Sequence, residues 1–274
     1  MKIKDDCGLR SRCLPGFYAE RRTPNAKRKA MGFFLLLLLA FLTACASTMK
    51  QKEDALSHMR VGESMLREGR PTQALAELIQ ANDLDPSNPL IRNILGVAYL
   101  EKNMVRQAIF QFEKALYLDP NYAEAQNNLG TALLREGRVK EAITSFNKTL
   151  ENPTYPTPHY VMFNLGQAHT ALKDFEKARE YYLEAVKISP NYSLAYHGLG
   201  LAWKATGQME EAGEALKKAI ENAPKFAQAH FDLGEVLLAL NQASLARLAF
   251  QEVVSLVPES ELGKRAREKM KEIK

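Results

Sequence analysis

The 274 residues are 46% hydrophobic and 25% charged, a balance that supports a folded chain and excludes disorder on composition. The formal net charge of +5 would suit nucleic acid or an anionic surface, but its location removes that implication. Residues 1–30 hold nine Lys or Arg against three acids, and the other 244 residues carry 28 basic and 29 acidic groups, so nucleic acid is not an expected partner of the bulk of the chain. Its three cysteines, Cys7, Cys13 and Cys45, all lie near the start. No disulfide can staple the residues beyond Cys45, whose core must come from apolar packing alone.

Residues 31–44 are an almost unbroken apolar run behind Lys27, Arg28 and Lys29, the pattern of a basic n-region and a short h-region. As a helix the run would rise about 21 Å, short of a hydrocarbon core of about 30 Å. It ends in Leu42-Thr43-Ala44-Cys45, which looks like a lipobox. Small residues there let a membrane protease reach the backbone before Cys45, and the thiol then carries the lipid that anchors the chain. Residues 1–44 are thus expected to be a lipoprotein signal peptide, with a start as written that is unusually early. Residues 45–54 are small and polar and read as a lipidated tether.

From residue 55 a period takes over. Gly62, Gly96, Gly130, Gly166, Gly200 and Gly234 are followed twelve residues later by Ala74, Ala108, Ala142, Ala178, Ala212 and Ala246. Pro86, Pro120, Pro190, Pro224 and Pro258 hold the same register. The interval is 34 residues except between Gly130 and Gly166, where it is 36. This pattern resembles the tetratricopeptide repeat, over residues 55–260 as six units: 55–88, 89–122, 123–158, 159–192, 193–226 and 227–260. The resemblance implies an all-α, right-handed superhelical solenoid, each unit two antiparallel helices. Gly and Ala then sit where helix backbones cross. Turns are expected seven residues after each landmark glycine, at Gly69, Asn103, Gly137, Lys173, Gly207 and Asn241, where Gly and Asn accept the left-handed conformation and Lys173 departs from the rule. Leu78, Phe112, Phe146, Tyr182 and Phe250 fill one interhelical slot. Ala215 is read as its occupant in the fifth unit, with a thinner layer there. Residues 261–274 form a capping helix, with Leu262, Ala266, Met270 and Ile273 on one stripe and basic side chains around it.

The two extra residues fall in Asn152-Pro153-Thr154-Tyr155-Pro156-Thr157-Pro158, where three prolines predict an extended, non-helical segment. Together with Asn128-Leu129-Gly130, six repeats and the lipobox, this segment resembles the type IV pilus pilotin family, the PilF/PilW and Tgl lipoproteins. The resemblance implies a lipid-anchored protein on the periplasmic face of the bacterial outer membrane that binds the pilus secretin and assists its multimerisation. Ala46 after Cys45, in place of Asp, favours transfer to that membrane by resemblance to Gram-negative lipoproteins. The alternative is a generic periplasmic scaffold that organises envelope or cell-wall assembly factors.

No catalytic, metal or cofactor site is expected. His58, His159, His169, His197 and His230 show no metal-ligand spacing, and no glycine cluster has the form of a phosphate loop. In tetratricopeptide stacks the first helices line a concave face. The residue three before each landmark glycine and the one just after it share that face. This makes Met59 and Glu63, Asn93 and Val97, Asn127 and Thr131, Phe163 and Gln167, His197 and Leu201, and Phe231 and Glu235 the expected partner-binding residues. The set lacks a Lys and Arg clamp for a terminal carboxylate. Its amides and aromatics suit an extended or helical peptide.

Overall fold

The computed structural model describes residues 48–273, all in helices and the turns between them. The expectations for Cys7, Cys13, Cys45, Ala46 and the apolar run lie outside the described residues. The described residues from 52 onward form one compact unit. Helix α1 (48–67) is already helical at 48, so the first repeat's leading helix covers residues 48–54, which the sequence suggests as tether. The others are α2 (Pro71–Leu84), α3 (Pro89–Glu101), α4 (Val105–Leu118), α5 (Ala123–Arg135), α6 (Val139–Leu150), α7 (Pro158–Ala171), α8 (Phe175–Ile188), α9 (Ser193–Ala205), α10 (Met209–Asn222), α11 (Ala227–Ala239), α12 (Ala243–Leu256) and α13 (Glu261–Glu272).

One local device recurs six times. At Gly69, Asn103, Gly137, Lys173, Gly207 and Asn241 the backbone has φ between 57° and 85°. Each such residue donates its N–H to the carbonyl three back, and the next residue donates to the carbonyl five back, as in Gly137 N to Leu134 O (3.1 Å) and Arg138 N to Leu133 O (2.9 Å). This is a Schellman-type stop, which satisfies the last carbonyls of the first helix and reverses the chain into the second. Lys173 takes it at φ 59° without the freedom of Gly. Asp174 then caps α8, accepting from Lys177 N. Helix starts use proline at the first position in α2, α3 and α7, where its missing N–H costs nothing.

The core follows the period. Phe112, Phe146, Phe231 and Phe250 are fully buried among alanines at the crossings. A Cβ on Gly130 would lie 2.5 Å from Phe146 Cε1, so only glycine admits the ring. The fifth repeat corrects the expected slot. Leu216, not Ala215, faces Gly200, its Cγ 2.7 Å from where a Cβ would be. Ala215 is the preceding residue, about 100° round the helix, so a full-sized side chain fills this layer.

The segment with three prolines is a turn, not an extended strand. Asn152 Oδ1 accepts from Thr154 N (3.0 Å) and Thr154 Oγ1 (2.8 Å), an Asx-type turn, and Tyr155 N donates to Asn152 O. Tyr155 packs against the core of repeats 2–4. Pro158 already opens α7. At the far end, Leu262, Ala266 and Met270 of α13 and Ile273 just past its end cover the last repeat, and Arg265 stacks over the Phe231 ring at 4.5 Å.

Each second helix packs on the first helix of its own repeat and of the next. The first helices α3, α5, α7, α9 and α11 also touch one another in succession, whereas among the described residues no two second helices touch. The stack therefore curves with its first helices inside, as a superhelical solenoid.

Candidate functional site

The inner face is built from residues at i, i+3 and i+7 of successive first helices, which share one side of a helix. The twelve residues expected there divide by depth. Gln167 is exposed, and Glu63, Val97, Asn127, Thr131, Phe163, His197, Leu201 and Glu235 are half-buried. Met59, Asn93 and Phe231 are buried, Phe231 to 1%, and the expectation that they line an open groove is corrected. At the position three before the glycine, Met59, Asn93 and Phe231 are buried, whereas Asn127, Phe163 and His197 stay half-buried at the face.

The open face carries side chains that the two-position rule missed, one turn earlier. Leu56, Leu90, Tyr160 and Leu194 are 36%, 40%, 46% and 44% exposed. In repeats 3 and 6 the same position holds Glu124 and Gln228. The period carried this signal, since each lies six residues before a landmark glycine. Along the face, apolar groups of repeats 1 and 2 give way to polar ones in repeat 3 and to aromatic and apolar ones in repeats 4 and 5.

Beneath this surface polar side chains bridge successive first helices. Asn93 Nδ2 donates to Tyr122 Oη (3.2 Å), and Asn128 Nδ2 donates to Asn93 Oδ1 (2.9 Å). Asn164 Nδ2 donates to Asn127 Oδ1 (3.2 Å) and lies 3.4 Å from Thr131 Oγ1. Between repeats 5 and 6, His197 Nε2 bonds Asp232 Oδ2 (2.7 Å), which also accepts from Gln228. Buried amides paired this way avoid the cost of unmade hydrogen bonds and fix the repeat-to-repeat register. The same bonds occupy Asn93 and part of Asn127 and His197, which leaves those groups fewer hydrogen bonds to offer a partner.

Repeat 4 replaces the polar bridge with aromatic rings. Phe163 lies 5.2 Å from Tyr192 and 5.8 Å from Tyr182, and Tyr160 meets Tyr192 edge-on at 5.3 Å. Burial pushes the Tyr192 hydroxyl well above its ordinary pKa, with Tyr160 and Tyr182 adding to the effect. Burial also raises Tyr122, against which the Asn93 hydrogen bond works. Lys204, one turn beyond Leu201, is tied to Glu235 at 2.6 Å, and Arg135 Nη1 donates to Leu100 O. These two cations are therefore already engaged. Among the described residues, no group of three or more His, Cys, Asp or Glu is placed to hold a metal ion. Nor is any helix among them long and apolar enough to cross a membrane. The face offers apolar anchors around a polar middle, an arrangement that binds a polypeptide.

No curated protein matches the chain by sequence. Among solved structures the chain is similar to PilW, described as a widely conserved type IV pilus biogenesis factor. The identity is 25% and the TM-score 0.73, over 78% of this chain and 98% of that one. It shares the fold of PilF from Pseudomonas aeruginosa (20% identity, TM-score 0.69, 80% and 99% covered). It shares it also with YrrB, a repeat protein with an unusual peptide-binding site (20%, TM-score 0.52, 70% and 97% covered). Family models described as tetratricopeptide repeat match residues 91–122, 111–144, 159–192 and 196–261, and the chain belongs to the tetratricopeptide repeat family, a fold of protein–protein interaction.

Proposed function

We propose that this chain is a pilotin: a lipoprotein anchored through Cys45 at the periplasmic face of the outer membrane, where it holds secretin subunits of a type IV pilus while they assemble. The observation that carries this reading is the likeness to PilW, which runs along 98% of that factor's chain at 25% identity. The leader ending at Leu42–Cys45 and the Asn152–Pro158 insertion support it. The protein acts by binding, without chemistry of its own. A lipid anchor confines each gripped subunit to one membrane and raises its local concentration, which favours multimers without any new contact between subunits. The inner face supplies the grip, with Leu56 and Leu90 at one end and Tyr160, Phe163 and Leu194 further along.

The test separates anchor from grip. Cys45→Ser should abolish labelling by a radioactive fatty acid and release the protein from the outer-membrane fraction, and Ala46→Asp should hold it at the inner membrane. The soluble Cys45→Ser chain should still retain the secretin subunit in a pull-down, and cells carrying it should lose secretin multimers. A folded chain that retains no secretin would sink the pilotin reading and leave a scaffold for other envelope proteins.

A further inference from the structure

In repeat 3 one largely buried side chain turns an unbonded amide toward a pocket. Four repeats place a polar residue four before the landmark glycine: His58, Arg92, Gln126 and His230. His58 bonds Glu77 at 2.7 Å, Arg92 bonds Gln111 and the Pro86 carbonyl, and His230 bonds the Pro224 carbonyl at 2.9 Å. Gln126 is 8% exposed, and among the described residues its carboxamide bonds to nothing. Its amide atoms still reach solvent, unlike the buried unpaired atoms of Asn82, Arg179 and Gln208, so the carboxamide is open to a group that enters from outside.

Gln126 lines a pocket with Pro120, Tyr122, Lys148, Glu151 and Pro153. The inserted segment adds Asn152 and Pro153 to that wall. Helix α6 stops at Leu150, and the Asn152 turn, held by its two bonds to Thr154, swings Pro153 into place opposite Pro120. Lys148 and Glu151 bear opposite charges at the rim and, among the described residues, form no ion pair with each other or elsewhere.

We propose that this pocket binds an uncharged peptide group of a partner polypeptide. The Gln126 carboxamide donates to the partner's carbonyl and accepts from its N–H, a pairing that both halves of an amide complete. The charges select against ions: an anion drawn by Lys148 meets Glu151, and a cation drawn by Glu151 meets Lys148. A neutral dipole is matched by both. The proline rings and Tyr122 offer apolar surface to the flanking side chains. Tyr122 also belongs to the inner face, where its hydroxyl accepts from Asn93, so a segment lying on that face can cross Tyr122 and end here. The site would exist whatever protein the inner face holds.

The probe is acetyl-Ala-Ala-Ala-methylamide, which carries peptide groups and no charge, titrated into the full chain in detergent. The Gln126 side-chain amide signals in an NMR spectrum should shift saturably. Gln126→Leu removes an amide that bonds nothing within the fold, so it should fold with little change in stability and should weaken peptide binding about tenfold, read at the Asn152 amide. Phe163→Ala should leave this binding intact, which separates the pocket from the inner face. No saturable shift, or equal binding by the Gln126→Leu chain, would overturn the proposal. So would shifts produced by acetate or methylammonium ions but not by the blocked peptide. Lys148→Ala, at an exposed residue, gives a second reading if Gln126→Leu fails to fold, and unchanged binding there would remove the rim from the site.

Discussion

The ring of Tyr182 in α8 occupies the space that a Cβ would need on Gly198 of α9, 2.6 Å from Cζ, and it fills the same space at Gly166 of its own repeat. One side chain thus sets the spacing of two successive repeats. Gly198 stands where repeats 3, 4 and 6 carry Asn128, Asn164 and Asp232, the groups that bridge first helices. At the junction of repeats 4 and 5 an aromatic contact replaces the polar one, and the Phe163–Tyr160–Tyr192 cluster lies over it.

Gly198→Ala should therefore destabilise the stack by about 1–3 kcal/mol, the usual cost of overpacking. Tyr182→Ala alone should cost more, by leaving a cavity. The two changes together should be less damaging than their sum, because the clash needs both partners. Chemical denaturation of the four chains in a double-mutant cycle checks this, and strict additivity would mean that Tyr182 does not touch Gly198.

Two phenylalanines at equivalent repeat positions should behave differently. Phe231 is 1% exposed, meets Phe250 edge-on at 5.4 Å and lies under Arg265. Phe231→Ala should cost about 3–5 kcal/mol of stability, in the range of large core truncations. Phe163 is half-buried at the inner face, so Phe163→Ala should cost less stability and act mainly on partner retention. Melting curves beside pull-downs separate the two. A loss of retention from Phe231→Ala without any loss of stability would return that residue to the binding surface.

Much of the fold is legible in the sequence because a 34-residue period repeats each physical constraint six times. The six left-handed turns are readable from Gly and Asn seven residues past each glycine, and even Lys173 obeys the register against its own preference. Single positions are less readable. The slot opposite Gly200 depends on strict register: Leu78, Phe112, Phe146, Tyr182, Leu216 and Phe250 each stand sixteen residues past a landmark glycine, and Ala215 misses that place by one residue, about 100° round the helix. The depth of Met59, Asn93 and Phe231 depends on how closely neighbouring first helices approach, which no single repeat encodes. Three prolines exclude helix between Leu150 and Pro158. The choice of a turn comes from the Asn152 carboxamide bonding two residues ahead. The unpaired state of Gln126 is a matter of absent neighbours and leaves no trace in the sequence.

Alkaline pH should weaken the fold through its tyrosines. Burial raises Tyr122, Tyr155, Tyr182 and Tyr192 above the ordinary value of 10.0. A folded-state pKa above the unfolded one means that the native chain holds its protons longer. The stability this supplies is complete below about pH 10 and is lost as pH rises toward the folded values. Denaturation midpoints should be flat from about pH 7 to about 9 and fall beyond about 10. Tyr192→Phe should soften that fall, and an equally steep fall in the variant would show that Tyr192 is not the group held neutral.

The bridge between repeats 2 and 3 makes the sharpest test of what the buried amides do. Asn93 is 6% exposed and uses both ends of its carboxamide, donating to Tyr122 and accepting from Asn128. Asn128→Ala removes the donor and strands the Asn93 oxygen in a nearly dry site. The expected loss is about 1–3 kcal/mol, above that of a surface hydrogen bond, because the oxygen has lost water and gained nothing. Replacing both residues by leucine removes the stranded groups, so Asn93→Leu with Asn128→Leu should be less destabilising than Asn128→Ala alone, provided that the leucines fit. The two outcomes assign different roles to the bridge. If the double leucine chain is stable and still retains its partner, the amides serve only the stack. If it is stable and loses the partner, the exposed edge of the Asn128 carboxamide belongs to the grip. Denaturation and pull-down on the same preparations decide between them, and an Asn128→Ala chain as stable as the parent would show that the bond across the two repeats contributes nothing.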